Sequence, residues 1–405
     1  MSRFYVIGMN DCPNPDFSPE VLHIIKSHRV FSGGVRHHEI VRSLLPQQAV
    51  WIDIKSPMDE VFQQYENVNE SIVVFASGDP LFFGFANTIK RRLPHAGIFL
   101  YPAFNSLQML AHQLLIPYHD MRIVSLTGRP WHELDRALIE RSSKIGVLTD
   151  HVHTPAQIAR RMLEYGYSMY VMYVGTNLGN PDKQSIRKFS LQQAATESYQ
   201  TPNCVILEQE GQLLPRPFGI PDASFEHLDG RTRMITKMPV RLLSLSLLDL
   251  HDKTNLWDIG FCTGSVSIEA KLQFPHLHIT AFEVRSEGAE LMDVNSHRFG
   301  TPGIEAIITD FMTYDVSSLD SPDAVFIGGH GGKLPEMLRK VSSCLAERGT
   351  IVFNSVSEES LLLFKNTLPA IGFECKEEIR MAVDDFNPIT ICKAERSKKI
   401  RQDDK

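Results

Sequence analysis

Apolar runs of strand length alternate with amphipathic stretches along most of this 405-residue chain. In the first half, such runs stand at "RFYVIGM", "ESIVVFASGDP", "AGIFLYPAF", "SKIGVLTD", "SMYVMYVG" and "NCVILEQE". Helical stretches lie between several of them, and "SPEVLHIIKSHR" begins with a Ser-Pro pair that is typical of a helix start. Buried strands that alternate with helices predict an α/β architecture.

The alternation stops near residues 208–235 and then begins again. Beyond this stretch, five strand-and-helix units run from "NLWDIG" to "EESLLLFKNTLPAI", and "CKEEIRMAV" and "PITICKAE" follow as two successive strands. This order predicts a doubly wound, Rossmann-like sheet with an antiparallel edge. We therefore predict one domain over 1–210, a linker over 211–235, a second domain over 236–396 and a charged tail over 397–405.

Composition argues against several functional classes. Six cysteines without a Cys-x-x-Cys pair argue against a disulfide framework or a metal site and favour the reducing cytoplasm. The formal net charge of −7 argues against nucleic acid as a partner. No apolar run approaches the ~20 residues that a membrane span needs, so we expect no membrane partner. An anionic small molecule stays compatible, because a local basic patch can bind one inside an acidic protein.

A glycine-containing turn, "WDIGFCTGSVSIE" (257–269), follows the first strand of the second half. Glycine permits a close approach of the backbone to a ligand, and the next helix offers free N–H groups. Glu283 ends the second strand, where a carboxylate can accept both ribose hydroxyls of an adenosine. Asp310 ends the third strand, where it can read an adenine edge, and all these positions share the ligand-binding edge of an open α/β sheet. The candidate cofactor contacts are Gly260, Phe261, Cys262, Thr263, Gly264, Glu283, Asp310 and Phe311.

Two other interpretations of this turn stay open. It could be a plain glycine-rich turn beside two surface acids, although the joint spacing disfavours that. It could also bind a dinucleotide, but the third glycine of G-x-G-x-x-G is absent. The Asp-x-Gly start and the short spacing favour S-adenosylmethionine over NAD. If Cys262 needs a positive φ, it costs on the order of 1 kcal/mol, so we expect an intact loop and a modest loss of affinity at most.

Three strand ends in the first half predict a second pocket. In "ASGDPLFFG" (76–84), Pro80 fixes φ and Gly78 permits a sharp bend, so that the backbone can line a cavity. "VIGM" around Gly8 and "PAFNS" up to Ser106 end two further strands in the same way. A lone Gly-Asp-Pro is usually just a turn, but three such strand ends together are more informative.

Basic side chains near these turns are candidates for anion binding and catalysis. Arg36 and His37 in "GGVRHHE" could form an anion-binding loop or a solvated loop. Lys237 and Arg241 in "ITKMPVR" could meet substrate carboxylates or be solvated charges. His330 in "GGHGG", at the end of the fourth strand, could exchange a proton near neutral pH or have no role.

The two halves resemble two known families. "VIGM", "SPEVLHIIKSHRVFSGGVRHHE", "FASGDPLFFGFANTIKRRLP" and "PAFNSLQ" resemble the tetrapyrrole (corrin/porphyrin) methylases, in their precorrin C5-methyltransferase branch. "GIPDASFEH", "WDIGFCTGSVSIEA", "VFIGGHGGKLPEML" and "FNSVSEESL" resemble the decarboxylating precorrin C15-methyltransferases. No motif is decisive alone, but the series covers nearly the whole chain. The family loop usually reads G-x-G-x-G, and here Cys262 replaces its middle glycine.

The resemblance implies a two-lobed tetrapyrrole-methylase fold followed by a Rossmann-like methyltransferase fold. It also implies a bifunctional enzyme of cobalamin biosynthesis that uses S-adenosyl-L-methionine and methylates a precorrin at C5 and C15. In that reaction the ring-C acetate loses CO₂. Members of the first family often dimerise, so the resemblance allows a homo-oligomer. The alternatives are one active methylase whose second half only binds substrate or a partner, and a dinucleotide oxidoreductase.

By the same resemblance, each half holds its own set of site residues. The first cofactor pocket would use Gly8, Gly78, Asp79, Pro80 and Ser106. The second would add Thr236 to the strand-end residues of the glycine-containing turn. The substrate is a polycarboxylate, so the resemblance assigns Arg36, His37, Lys237 and Arg241 to its carboxylates and makes His330 the catalytic candidate.

Overall fold

The computed structural model describes residues 3–211, 215–231 and 233–397, so all but the first residue of the predicted charged tail lies outside the described residues. The chain divides into two compact units. The first unit takes in residues up to 130 with 142–163 and 168–211, and the second takes in 131–141, 164–167 and the residues from 215 on. Within the described ranges, no helix is long and apolar enough to cross a membrane.

The first unit begins with a wholly parallel sheet. Its described strands are β1 (Arg3–Met9), β2 (Val30–Gly33), β3 (Val50–Asp53), β4 (Ile72–Ser77) and β5 (Gly97–Tyr101), in the order β3-β2-β4-β1-β5. The accompanying helices are α1 (Pro19–Ser27), α2 (Val35–Val41), α3 (Met58–Glu66), α4 (Phe85–Arg92) and α5 (Ser106–Leu114). The central strand β4 is buried from Ile72 to Ala76, which explains its continuous apolar run.

The second sheet of this unit is mostly antiparallel. Its described strands are β6 (Arg122–Ser125), β7 (Lys144–Leu148), β8 (Tyr170–Thr176), β9 (Ser185–Ser190) and β10 (Asn203–Gln209), in the order β6-β7-β10-β8-β9. Only β6 and β7 pair in parallel. Along this stretch lie α6 (His132–Ile139), which belongs to the second unit, α7 (Pro155–Glu164) and α8 (Leu191–Ala194). Two sheets in one unit confirm the two-lobed expectation.

Four of these strands were not predicted, namely β2, β3, β6 and β9. Three of them have only four residues, at most three of which are apolar. Polar residues also interrupt them: buried Ser32 in β2 is satisfied by donating a hydrogen bond to the Ile52 carbonyl at 2.8 Å. The strand β9 reads "SIRKFS" because it is the edge of its sheet and is largely exposed.

The second unit has one sheet with helices on both faces. Its described strands are β11 (Asn255–Ile259), β12 (His278–Glu283), β13 (Ile304–Ile308), β14 (Ala324–Ile327), β15 (Thr350–Ser355), β16 (Phe373–Met381) and β17 (Ile389–Arg396). The helices are α9 (Met238–Leu248), α10 (Ser265–Gln273), α11 (Glu287–Phe299), α12 (Leu334–Cys344) and α13 (Glu358–Thr367). The strand order is β13-β12-β11-β14-β15-β17-β16, and β17 runs antiparallel to both neighbours. This confirms the doubly wound sheet with an antiparallel edge.

Successive residues of β11 serve the two faces of this sheet. Leu256 belongs to the apolar cluster that includes Val240 of α9, and Trp257 belongs to the cluster that includes Leu338 of α12. The strand order reverses between β11 and β14, so a crevice opens outside their carboxyl ends. The fold thereby places the loops after β11 and β14 together at the point where such sheets bind ligands.

Candidate functional site

Three strand ends of the first unit meet in direct backbone contact. A Cβ atom at Gly8 of β1 would lie 2.0 Å from the carbonyl oxygen of Gly78. A Cβ atom at Gly78, whose φ is 60°, would lie 2.8 Å from the Cα atom of Asn105. Only glycine fits at such distances. The structure therefore brings the three predicted strand ends together.

A cavity of about 510 Å³ lies at these strand ends. Among the predicted residues, Gly78, Ser106, Arg36 and His37 line it. Gly8, Asp79 and Pro80 are not lining residues. Asp79 instead shapes the turn, since its Oδ1 accepts a hydrogen bond from the Leu81 amide at 2.8 Å. Contact between these three residues and a cofactor stays a prediction.

Arg36 and His37 converge on Ser77, the last residue of β4. The Gly34 amide donates to His37 Nδ1 at 3.3 Å, which leaves the imidazole proton on Nε2, 3.0 Å from Ser77 Oγ. Arg36 Nη2 donates to the same oxygen at 2.9 Å, and its Nε lies 3.4 Å from Asp11 Oδ1. Burial, together with the charge of Arg36, lowers the pKa of His37 to about 4, so the ring is neutral at pH 7.

Hydrogen-bond counting gives Ser77 a defined role. A hydroxyl oxygen has two lone pairs, and here Arg36 and His37 occupy both of them. The hydroxyl proton of Ser77 is therefore available to a third group in the cavity. We did not predict Ser77 from the sequence, although a serine at the end of an otherwise apolar strand was a visible signal.

A larger cavity, of about 830 Å³, lies at the carboxyl ends of β11 to β15 in the second unit. The loops after β11 and β14 touch there, since a Cβ atom at Gly260 (φ 80°) would lie 2.8 Å from the Gly329 amide nitrogen. The cavity is thus at the reversal of strand order, as expected. The predicted residues that line it are Thr236, Lys237, Gly260, Phe261, Cys262, Glu283, Asp310, Phe311 and His330.

Thr263 and Gly264 lie behind this cavity wall. Thr263 is buried, and its carbonyl accepts a hydrogen bond from Asn295 Nδ2 at 3.0 Å. Gly264 is the N-cap of α10, and a Cβ atom there would lie 2.7 Å from Met292 Sδ. Both residues serve the packing of the loop, and their contact with a cofactor stays a prediction.

Cys262 adopts the left-handed conformation that glycine favours, with a φ of 52°. The sequence expectation left its φ open, and the structure assigns it to the costly region, on the order of 1 kcal/mol. Its amide donates to Glu283 Oε2 at 2.9 Å, and its thiol donates to the Met234 carbonyl at 3.1 Å. Burial, and then the charge of Glu283, raises the pKa of the thiol, so Cys262 is not a reactive thiolate at pH 7.

Glu283 is held by the loops that surround it and is only 3% exposed. Its Oε1 accepts hydrogen bonds from the Val284 amide at 2.9 Å and the Arg285 amide at 3.0 Å, and its Oε2 accepts one from Cys262. The guanidinium of Arg285 lies 3.3 Å from both carboxylate oxygens. That side chain is 38% exposed and is the only one of these partners that can leave without a change of the backbone.

Asp310 and His330 lie at the ends of β13 and β14. Asp310 Oδ2 pairs with Lys333 Nζ at 2.9 Å, and this hydrogen bond lowers the pKa of the carboxyl group. The Gly332 amide donates to His330 Nδ1 at 3.2 Å, which places the ring proton on Nε2. Burial lowers the pKa of His330, so the ring is neutral at pH 7 and is a hydrogen-bond donor rather than a strong acid.

Arg241 does not line the cavity, and its burial argues against the predicted contact with substrate, which stays a prediction. The side chain is fully buried, with Nε 3.3 Å from Glu269 Oε2 and Nη1 3.4 Å from Asp222 Oδ1. It also donates hydrogen bonds to the carbonyls of Thr236, at 2.9 Å, and Ile220. Arg241 therefore ties the segment before α9 to the body of the unit.

Lys237, one turn earlier, does line the cavity. Its Nζ lies 3.5 Å from Asp222 Oδ2 and 4.5 Å from the centroid of the Phe386 ring. It is the N-cap of α9, whereas Arg241 lies one turn inside that helix. We did not predict α9, so the opposite surroundings of these two cations were not visible in the sequence.

Asn354, at the end of β15, is a second residue that sequence reasoning missed. It is buried and lines the cavity, and its Oδ1 accepts a hydrogen bond from Ser244 Oγ at 3.1 Å. Within the described part of the chain, its Nδ2 has no hydrogen-bond partner. A buried donor without a partner is costly, so this amide is a candidate donor to a group bound in the cavity. The signal in the sequence was a polar residue inside the apolar run "GTIVFNSV".

Two family models match the chain. Residues 3–195 match the Tetrapyrrole (Corrin/Porphyrin) Methylases, and residues 224–398 match the Precorrin methyltransferase domain. A curated relative from Sinorhizobium sp, "Precorrin-6Y C(5,15)-methyltransferase [decarboxylating]", is 31% identical over 359 residues, which cover 87% of this chain and 84% of the relative.

Shorter relatives match part of the chain. A "Cobalt-precorrin-6B C(15)-methyltransferase (decarboxylating)" of Salmonella typhimurium is 34% identical over 162 residues, which cover 40% of this chain and 83% of the relative. The crystal structure of a precorrin-6Y C5,15-methyltransferase from Geobacter metallireducens GS-15 has a TM-score of 0.41 and 32% sequence identity. It covers 44% of this chain and 98% of its own.

Proposed function

The chain belongs to the family of decarboxylating precorrin-6Y C5,15-methyltransferases, and from that premise we propose that each of its two units is a separate S-adenosylmethionine-dependent methylation site. The first unit methylates C5 of precorrin-6Y. The second methylates C15 and removes CO₂ from the ring-C acetate, which gives precorrin-8X. One observation carries the proposal: each unit has its own cavity at the carboxyl ends of neighbouring parallel strands.

The residues of the second cavity suit an adenosine with a charged tail. Gly260 and Gly329 line this cavity with their backbone, without a side chain between it and a ligand. Glu283 offers its carboxylate to the ribose hydroxyls once Arg285 moves aside, and Asp310 lies at the next strand end for the adenine amine. When bound, S-adenosylmethionine supplies an electrophilic methyl group.

The first cavity offers a different set of groups. Gly78 and Ser106 present the backbone of two strand ends to a cofactor. Arg36 keeps part of its side chain exposed, so it is available to a substrate carboxylate. The Ser77 oxygen accepts hydrogen bonds from Arg36 and His37, so the Ser77 hydroxyl can donate its proton to a ligand in the cavity.

Methyl transfer to a carbon of an electron-rich macrocycle needs positioning more than covalent help. In the second cavity, Lys237 and Lys333 supply positive charge for the carboxylates of the substrate. The neutral His330 and the unpartnered amide of Asn354 donate hydrogen bonds to an anionic oxygen and so orient the acetate. When CO₂ leaves, the electron pair of the broken C–C bond passes to the conjugated ring. A proton then takes the place of the carboxyl group on the former acetate carbon.

Titration of S-adenosylmethionine into the full chain by calorimetry tests this proposal, together with mass spectrometry of the product. We expect two equivalents bound per chain and a product that has gained two methyl groups and lost one CO₂. Glu283→Ala should bind one equivalent and give a product with one added methyl group and its acetate intact. Glu226→Ala, an exposed glutamate of the same unit, is the matched control and should behave as the wild type.

One equivalent bound by the wild type, with one methyl group added, would favour the alternative in which the second unit only binds substrate or a partner. Binding of NADH with a change in its fluorescence would favour the dinucleotide oxidoreductase. Homo-oligomer formation and a cytoplasmic location stay predictions from the sequence.

A further inference from the structure

Phe83 stands in a backbone conformation that a bulky residue rarely adopts. Its φ is 52°, in the left-handed region. The turn around it is tight, since a Cβ atom at Gly84 would lie 2.3 Å from the Pro80 carbonyl oxygen. The ring is 46% exposed, so burial does not compensate for the strain. Strain of this kind clusters at sites where a ligand is held.

A second exposed residue with a similar φ has an ordinary explanation. Leu115 has a φ of 55° and is 90% exposed, but it is the residue that ends α5, where a left-handed conformation is common. Phe83 ends no helix. Its position in the cavity wall of the first unit is the feature that distinguishes it.

A cation is fixed beside the Phe83 ring. The guanidinium carbon of Arg129 lies 5.1 Å from the ring centroid, and its Nη1 donates to Ser125 Oγ at 2.7 Å. The side chain is exposed, and its Nε and Nη2 make no hydrogen bond to any residue that the structure describes. Arg129 therefore holds a defined position while part of its guanidinium stays open to an anion.

A further exposed aromatic ring lines the same cavity. Phe104 is 61% exposed, and its ring meets that of His112 edge-on, with the centroids 4.9 Å apart. Two exposed aromatic side chains in one cavity wall, with a fixed guanidinium next to one of them, match a flat conjugated ring that carries carboxylates at its rim.

We propose that Phe83 and Arg129 form a substrate clamp in the first unit, in which the phenyl ring contacts the macrocycle and the guanidinium pairs with a peripheral carboxylate. The clamp rests on the proposed function, because it requires that a tetrapyrrole polycarboxylate enters this cavity. It adds a pair of specificity-determining residues to that site. The strain at Phe83 is then the cost of keeping the ring in the cavity wall before substrate arrives.

Two glycine substitutions separate this role from a purely structural one. Phe83→Gly and Leu115→Gly each relieve a left-handed residue, so both should keep or raise the melting temperature. Only Phe83→Gly should raise the KM of C5 methylation, by about tenfold or more, with little change in kcat. Phe83→Tyr keeps the ring and should restore the KM to within about twofold of the wild type.

Arg129→Gln tests the charged half of the clamp. It should raise the KM of C5 methylation and reduce the dependence of that KM on salt concentration, because an exposed ion pair is screened by salt. The affinity of the full chain for S-adenosylmethionine and its C15 methylation should stay unchanged in all four variants.

An unchanged KM in Phe83→Gly would overturn the clamp while C5 methylation by the wild type still supports the proposed function. An equal rise of KM in Leu115→Gly would also overturn it, since that residue lies outside the cavity. Absence of C5 methylation in the wild type would instead overturn the proposed function. The outcomes of the two proposals are therefore distinguishable.

Discussion

Replacement of Arg241 by methionine separates the structural role of this residue from the substrate contact that the sequence suggested. Methionine keeps most of the apolar stem and removes the guanidinium. Glu269, which is also fully buried, would then keep only the amide donors of Gly219, at 2.8 Å, and Ile220, at 3.1 Å. The carbonyls of Thr236 and Ile220 would lose a donor as well.

The expected cost follows from these contacts. Removal of one partner of a buried ion pair typically costs about 3–5 kcal/mol, because the other charge stays buried without compensation. Glu269 retains two backbone donors, so we expect the lower end, about 3 kcal/mol, or roughly a hundredfold shift in the unfolding equilibrium. Arg298→Met is the matched control, since Arg298 pairs with Glu226 at 3.0 Å on the surface. It should cost about 1 kcal/mol or less.

Urea denaturation of the full chain measures these costs, and hydrogen exchange of the α9 and α10 amides assigns the transition to the second unit. Arg241→Met should lower the midpoint of that transition and leave the first unit unaffected. At a temperature where the variant is folded, the KM of C15 methylation should stay within about threefold of the wild type. A tenfold rise in that KM, with the free energy of unfolding unchanged, would refute the reasoning and restore Arg241 as a substrate ligand.

Three further predictions concern the loops of the two cavities. Cys262→Gly relieves a strain of about 1 kcal/mol but adds unfolded-state entropy of similar size. The calorimetric Kd for S-adenosylmethionine should therefore change less than tenfold. A hundredfold tightening would show that Cys262 impairs the loop. Arg285→Ala should leave that Kd unchanged or lower it, whereas Glu283→Ala should raise it at least tenfold; equal weakening by both would contradict displacement of Arg285. His37 has a pKa of about 4 in the fold and an ordinary value of 6.5, so the unfolded chain binds the proton first. The melting temperature of the first unit should therefore fall as pH drops from 6.5 to 4, and His37→Gln should flatten this dependence.

The sequence predicts those strands and helices whose hydrophobic pattern lies entirely within one continuous segment. In the second unit most strands are apolar runs between clear turns, so the doubly wound sheet and its antiparallel edge could be predicted. The strands β2, β3 and β6 have four residues each and are not wholly apolar, whereas the equally short β14 is apolar throughout and could be predicted. Their existence depends on the strands with which they pair: β2 pairs with β4, β3 with β2, and β6 with β7.

The same distinction applies to the two sites. Gly78, Gly260 and Glu283 were predictable because a turn glycine or a strand-end acid is a local feature. The role of Arg241 depends on Glu269, 28 residues further along the chain, in another helix. The role of Ser77 depends on two donors about 40 residues before it, and only the folded chain shows that both of its lone pairs are taken.

Cys262 shows how a residue other than glycine can occupy a left-handed position in this loop. Its φ of 52° explains why relatives would carry glycine there, since the loop needs a left-handed residue at this point. The contacts that hold it in that conformation are its amide to Glu283 and its thiol to the Met234 carbonyl. The first of these is also one of the amide contacts that fix the Glu283 carboxylate. The same hydrogen bond that orders the Glu283 carboxylate therefore offsets part of the strain at Cys262.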